Sequence, residues 1–192
     1  MGENLREKEF RLGCWHGKLQ AKKKKEHQLQ RGIFLTQKIC FWENKKSKPI
    51  IRLFGYEVPL KEKVTRGTCV DLMGYGKDHN LYIIELKDKG SKESMEEIKE
   101  QINDYAKTVA KIQKYKYIEK EFRETFFFPD NFEFREIKKM LLADKEFYKN
   151  KKYPEDDGIL YFYINSKDLE AIKKMEPRKV IKIHLQKEWN AT

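Results

Sequence analysis

Read for its apolar and polar positions, the chain alternates between short β-type runs and two helical stripes. Leu5, Leu12, Trp15 and Leu19 keep helical spacing, so residues 3–31 read as an amphipathic helix, weakened by Gly13 and Gly17. Residues 32–43 are rich in β-formers, and the polar stretch 44–49 breaks them. Residues 49–60 read as a strand and 61–67 as a turn. Thr68 to Met73 reads as a further strand, and residues 74–80 are dense in turn formers. The apolar run from Leu81 to Leu86 closes with Glu85 and Lys87 as its charged members, and polar residues from Asp88 end it. This pair of runs predicts a hairpin.

Ser94 to Lys114 carries the clearest helical pattern. Met95, Ile98, Ile102, Tyr105, Val109 and Ile112 recur at three or four, an apolar stripe one face wide. Ser91 or Ser94 is placed to cap its start, with Glu96 and Glu97 favourable in the first turn. Residues 115–136 mix aromatics with charge. Residues 138–144 predict a buried strand, 154–158 a turn, and 159–164 a strand buried on both faces. Residues 168–175 predict a short helix and 179–185 a last strand.

The hairpin concentrates the chemistry. Side chains two apart on a strand share a face, so Glu85 and Lys87 project together, and the hairpin brings Asp71 beside Glu85. Two carboxylates and an ammonium in one small site suit metal-assisted hydrolysis of a phosphodiester. Mg2+ takes oxygen ligands, often only one or two carboxylates with waters. A lysine beside it orients the attacking water or stabilises the extra negative charge of the transition state. The plain alternative is a surface ion pair at an exposed hairpin end.

Asp71 on one strand, Glu85 and Lys87 on the next, and Gln101 with Tyr105 on the following helix resemble the motifs of the PD-(D/E)XK nuclease superfamily. The likeness covers residues 50–110, and beyond them only the order of elements. Val70 stands where the family name has proline. The resemblance implies an α/β domain, a restriction-endonuclease-like central mixed β-sheet flanked by helices. It implies Asp71 and Glu85 as metal ligands, with the carbonyl of Leu86 as a third, and Lys87 positioning or activating water. It also implies a supporting glutamate on the first helix, for which Glu7 and Glu26 are candidates, or at Glu57. An edge-strand charge near Pro59 explains Glu57 as well. Gln101 borders the buried face of its helix, from where its amide reaches toward water or phosphate. Tyr105 reads as core. The cofactor expected is Mg2+, with Mn2+ able to substitute.

Length and charge then set bounds. A chain of 192 residues suits a single nuclease-like domain: a basic helix/strand region over 1–48, a catalytic core over 49–114, and the rest of the sheet and helices over 115–192. Net charge is +11, and residues 1–48 hold 13 basic against 5 acidic side chains. That excess suits a polyanion, so DNA is the expected partner, with RNA a second candidate. Lys22, Lys23, Lys24 and Lys25 form a basic cluster that either contacts phosphates or makes a solvated helix face, and Arg66 is a further phosphate candidate. The aromatics of 115–136 either stack unpaired bases or pack, including across a homodimer. No apolar run approaches the about 20 residues of a membrane span, and the charged N-terminus is unlike a signal peptide, so a cytoplasmic protein is expected. Cys14, Cys40 and Cys69 are too few and too scattered for a structural zinc site or a four-cysteine cluster. His16, His27, His79 and His184 have no ligand spacing. The sequence therefore predicts a metal-dependent deoxyribonuclease, endo- or exo-acting. Its rivals are a nucleic-acid-binding module that never cuts and a protein-interaction domain using residues 126–134.

Overall fold

The computed structural model describes residues 25–36, 38–43, 46–59, 69–113, 133–149, 151, 157–164, 166–173 and 181–185. They form three α-helices and seven strands: α1 (Lys25–Thr36), β1 (Lys38–Glu43), β2 (Lys46–Pro59), β3 (Cys69–Gly76), β4 (Leu81–Lys87), α2 (Met95–Gln113), β5 (Ile137–Asp144), β6 (Ile159–Ile164), α3 (Ser166–Lys173) and β7 (Ile181–Leu185). A 3-10 turn, Lys145–Tyr148, follows β5.

The strands pair in chain order and close on themselves, β7 lying parallel to β1. β1 to β4 form an antiparallel meander. The crossover through α2 then sets β5 parallel to β4, and β6 lies parallel to β5. β6 and β7 are antiparallel. This is a mixed α/β sheet with helices on both faces. Leu29 and Ile33 of α1 and Leu169 and Ile172 of α3 share one core with Tyr82, Ile84 and Leu86. Tyr105 and Val109 of α2 pack on the other face with Leu81 and Ile83, and Met95, Ile98 and Ile102 pack there with Leu141 and Ala143.

β4 shows why its sequence makes a central strand. All seven residues are buried, and successive side chains go to opposite cores. The α2 stripe is equally direct: Met95, Ile98, Ile102, Tyr105 and Val109 are all buried. A capping box starts this helix, with Ser94 Oγ accepting from the Glu97 N–H at 3.1 Å and Glu97 Oε2 accepting from the Ser94 N–H at 2.8 Å. Of the two serines proposed as cap, Ser94 is the one used.

Three local expectations are corrected. Residues 32–36, expected as strand, belong to α1, and β1 begins only at Lys38. The helix continues because Ile33 joins Leu29 in the core at helical spacing, and Gly32 lets α1 lie so close to α3 that a Cβ there would sit 2.4 Å from Ile172 Cγ2. The expected break at 44–49 is narrower, because β2 starts at Lys46 and pairs Lys46 with Glu43. β3 runs on to Gly76, leaving only residues 77–80 to turn. Residues 3–24, 61–67 and 115–132 lie outside the described residues, so the first helix expected at 3–31 is described only from Lys25.

Candidate active site

Alternation along β4 directs Glu85 and Lys87 to the α2 face, since Ile83 goes there while Ile84 and Leu86 go to the other core. Both charged residues are buried, Glu85 2% and Lys87 5% exposed. The surface ion pair that the sequence left open is therefore not what forms. Lys87 Nζ lies 2.8 Å from Glu85 Oε1 and 2.5 Å from Glu93 Oε2, the latter in the loop before α2. Burial alone pulls the pKa of the Lys87 amine down. The Glu85 charge, its hydrogen bond, the Glu93 contact and the Asp71 charge outweigh it and hold the pKa above the ordinary lysine value. Lys87 is an ammonium in this arrangement and acts as a fixed positive charge.

Asp71 sits where β3 and β4 part. Their paired register runs from Tyr75 opposite Leu81 to Leu72 opposite Ile84, and Asp71 and Glu85 stand one step further. There the Leu86 N–H donates to Asp71 Oδ2 at 2.7 Å. In an extended strand the N–H and C=O of one residue face the same neighbour, so the Leu86 carbonyl is directed to the Asp71 side as well. Gln30 of α1, buried, donates its side-chain amide to Asp71 Oδ1 at 2.6 Å.

Glu57 stands across from Asp71, between the pairs Tyr56–Leu72 and Val58–Val70. Its φ of 47° is left-handed, which L side chains other than asparagine and aspartate rarely adopt. The strand alternation breaks at both carboxylates. Tyr56 and Leu72 enter the core with α1, whereas Val58 and Val70, each two residues away, enter the core with α2. The face on which Asp71 and Glu57 project is thus set by a local irregularity rather than by period two.

From α2, the Gln101 amide donates to the Tyr105 hydroxyl at 2.7 Å, one helical turn apart. Burial pushes the Tyr105 phenol pKa up. The Glu85 charge adds to this, the Gln101 hydrogen bond acts against it, and Asp71 and Cys69 add smaller amounts. Tyr105 is buried in the core as expected, and the Glu85 and Asp71 charges both reach its phenol.

No protein-family model, curated protein or solved structure matches this chain. The case for a site is therefore made by its own residues. Asp71, Glu85, Leu86 and Lys87 follow the last paired residues of β3 and β4, and Glu57 stands across from Asp71. Asp71 is held from the α1 side by Gln30, whereas Glu85 and Lys87 face α2, and Gln101 is placed through its bond to Tyr105. Lys22, Lys23, Lys24 and Arg66 lie outside the described residues, and Lys25 is described only as the first residue of α1. Gln30 and Glu93 were missed. Gln30 carried a faint signal, a polar residue between Leu29 and Ile33 on a helix whose apolar face those two define. Glu93 carried none, being one acidic residue in a polar loop.

The donor set is made of hard oxygens. Among the described residues no group of three or more histidine, cysteine, aspartate or glutamate side chains is placed to hold a metal. Zinc sites take three or four such ligands. Carboxylate and carbonyl oxygens such as those of Asp71, Glu85 and Leu86 are the donor type that a hard cation takes. No helix among the described residues is long and apolar enough to cross a membrane.

Proposed function

We propose that the protein is a Mg2+-dependent nuclease of the PD-(D/E)XK kind, with a restriction-endonuclease-like sheet, hydrolysing phosphodiester bonds in DNA. One observation carries the reading: a buried Glu85–Lys87 pair lies one strand from Asp71, at the point where the two strands part. Asp71 and Glu85 would hold the cation, with the Leu86 carbonyl directed toward it. Such a cation would polarise the scissile phosphate and lower the pKa of the attacking water. Gln30 fixes the Asp71 carboxylate through one oxygen, and the Leu86 N–H fixes the other. Lys87 would supply positive charge where the phosphorus centre gains negative charge, and would position or activate the water. Water adds to phosphorus, one ester P–O bond breaks, and the water's proton passes to solvent. From α2, Tyr105 lies within reach of the Glu85 and Asp71 charges, and Gln101 is hydrogen-bonded to it.

The element order also supports the reading. An antiparallel meander β2–β3–β4 followed by α2 and a parallel β5 is the arrangement the resemblance implies. The net charge of +11 suits a nucleic-acid partner.

The test is cleavage of plasmid, linear duplex, single-stranded circle, branched junction and RNA in Mg2+, Mn2+ or EDTA, comparing the wild type with Lys87→Ala. Metal-dependent cutting that falls at least about a hundredfold in the variant is expected. No cutting of any substrate, with salt-sensitive binding retained, overturns the nuclease in favour of the binding module.

A further inference from the structure

The Lys87 ammonium is shared between two carboxylates of different character. Glu85 is buried on β4 and is the acid proposed above to hold the cation. Glu93 lies in the loop between β4 and α2, and its side chain is 38% exposed. A cation arriving at Glu85 meets the ammonium at the same carboxylate, because Nζ lies 2.8 Å from Glu85 Oε1. The cation's charge repels the ammonium just when the site needs it, and weakens its hold on Glu85. Glu93 gives it a second anchor.

The loop is built to keep Glu93 in place. The Ser91 N–H donates to the Asp88 carbonyl at 3.2 Å, and the Gly90 N–H donates to Asp88 Oδ1 at 2.9 Å, so the chain turns tightly on leaving β4. Lys151 Nζ donates to the Glu93 carbonyl at 2.5 Å. The Ser94–Glu97 capping box begins at the next residue. Glu93 is therefore held by hydrogen bonds at its own carbonyl and at the next residue, and its carboxylate meets Lys87 at 2.5 Å.

We infer that Glu93 is a positioning residue: it holds the Lys87 ammonium in the site when a divalent cation takes Glu85. The inference rests on the reading that Glu85 binds the cation. It adds a role for an acidic residue that is outside the strand motif and does not itself touch substrate.

The experiment combines two readouts on the wild type, Glu93→Ala and Glu93→Asp. The first is the 15N-detected ammonium resonance of Lys87, assigned with Lys87→Met and followed as Mg2+ is added. Slow proton exchange marks an ammonium held in an ion pair. In the wild type the protected signal should persist at saturating Mg2+. In Glu93→Ala it should be present without Mg2+, held by Glu85, and disappear as Mg2+ binds. The second readout is cleavage: Glu93→Ala should lower kcat by about tenfold to a hundredfold, with KM and the Mg2+ midpoint changed less than about twofold, and Glu93→Asp should restore part of kcat. Unfolding temperature checks that each variant is folded, which a half-exposed loop position permits. A Glu93→Ala protein that keeps both its Lys87 signal in Mg2+ and wild-type kcat overturns the inference. A wild type whose Glu85 and Lys87 resonances ignore Mg2+, and which cuts nothing, overturns the nuclease reading and this inference together.

Discussion

Lys87→Met tests the buried pair by stability alone, without needing a substrate. Methionine keeps most of the lysine volume and removes its charge. Glu85, 2% exposed, then loses its ammonium neighbour. Removing one partner of a buried ion pair costs about 3–5 kcal/mol. The protein limits that cost by protonating Glu85. Keeping a carboxyl protonated at about pH 7 against an ordinary pKa of about 4.3 costs about 3.7 kcal/mol, at about 1.36 kcal/mol per pH unit. The expected loss at neutral pH is therefore about 3–4 kcal/mol, within the about 5–15 kcal/mol of a typical domain, so the variant stays folded. Glu85→Gln should cost less, about 1–2 kcal/mol, because Lys87 keeps Glu93 at 2.5 Å. The double variant should recover most of the Lys87→Met loss, since no buried charge of the pair is left.

The assay is urea unfolding followed by circular dichroism. With a slope of about 2 kcal/mol per molar urea, the Lys87→Met midpoint should fall by about 1.5–2 M. The pH dependence has a fixed sign. In the variant the folded Glu85 pKa lies above its unfolded value. Its contribution is then complete below about pH 4.3 and is lost as pH rises through the folded pKa, so the deficit against the wild type grows from about pH 5 to pH 7. In the wild type the Lys87 pKa is raised, and that contribution is complete below about pH 10.4 and flat over the same window. A deficit under about 1 kcal/mol that ignores pH, or a double variant no better than Lys87→Met, would refute the buried pair.

Two further outcomes bear on the frame around the site. Gly32→Ala gains about 1 kcal/mol in helix propensity, but its Cβ would meet Ile172 at 2.4 Å from Cγ2 and 2.9 Å from the backbone carbonyl. Overpacking against backbone costs about 1–3 kcal/mol and should win, so the urea midpoint should drop; a rise would show that α1 and α3 are not so closely packed. Tyr56 is pushed up from 10.0 to about 12 by burial first and then by the Glu57 and Asp71 charges. Burial also raises Tyr82, Tyr105 and Tyr161, helped by Asp78, Glu85 and Asp157 respectively. Their stabilising share is intact below pH 10 and lost above it, so absorbance at 295 nm should show these four ionising only together with loss of circular dichroism. One step near pH 10 for every tyrosine, with structure intact, would contradict this.

The core of the fold was legible wherever local pattern and tertiary context agree. β4 coincides with the apolar run from Leu81 to Lys87 because that run is bounded by turn residues and buried on both faces. α2 matches its stripe to within a residue at each end. Residues 32–36 misled because Ile33 and Phe34 favour strands by type, whereas the helix is held by packing on α3, where Gly32 meets Ile172, 140 positions later. The Glu85–Lys87 contact was legible because it is local, a matter of strand period. The Gln30–Asp71 bond was not, since it joins residues 41 apart and depends on how α1 crosses the sheet. The break in alternation at Glu57 and Asp71 was also hidden, because a left-handed glutamate leaves no mark in composition.

These exceptions gather in one place. A chain selected only to fold would put leucine or valine at the last inward positions of β4, since replacing a buried pair by apolar residues is often neutral or stabilising. It would put glycine where φ is 47°, because the left-handed region costs other residues about 1–2 kcal/mol. It would not place a buried glutamine so that its amide is committed to a carboxylate 41 residues away. The buried pair and the left-handed glutamate carry a cost to the fold, and with Gln30 they lie along the ends of β3 and β4 where pairing stops; buried Asn80, Asp144 and Asp168 and left-handed His79 lie elsewhere. Sequences depart from foldability in this clustered way where a site must hold charge ready for chemistry. A binding surface that only grips phosphates would need the positive charges and could leave the acids out. Under the proposed reading, buried acids beside an ammonium are what a cutting site would add to a phosphate grip, and this is the ground on which the nuclease is proposed over the binding module.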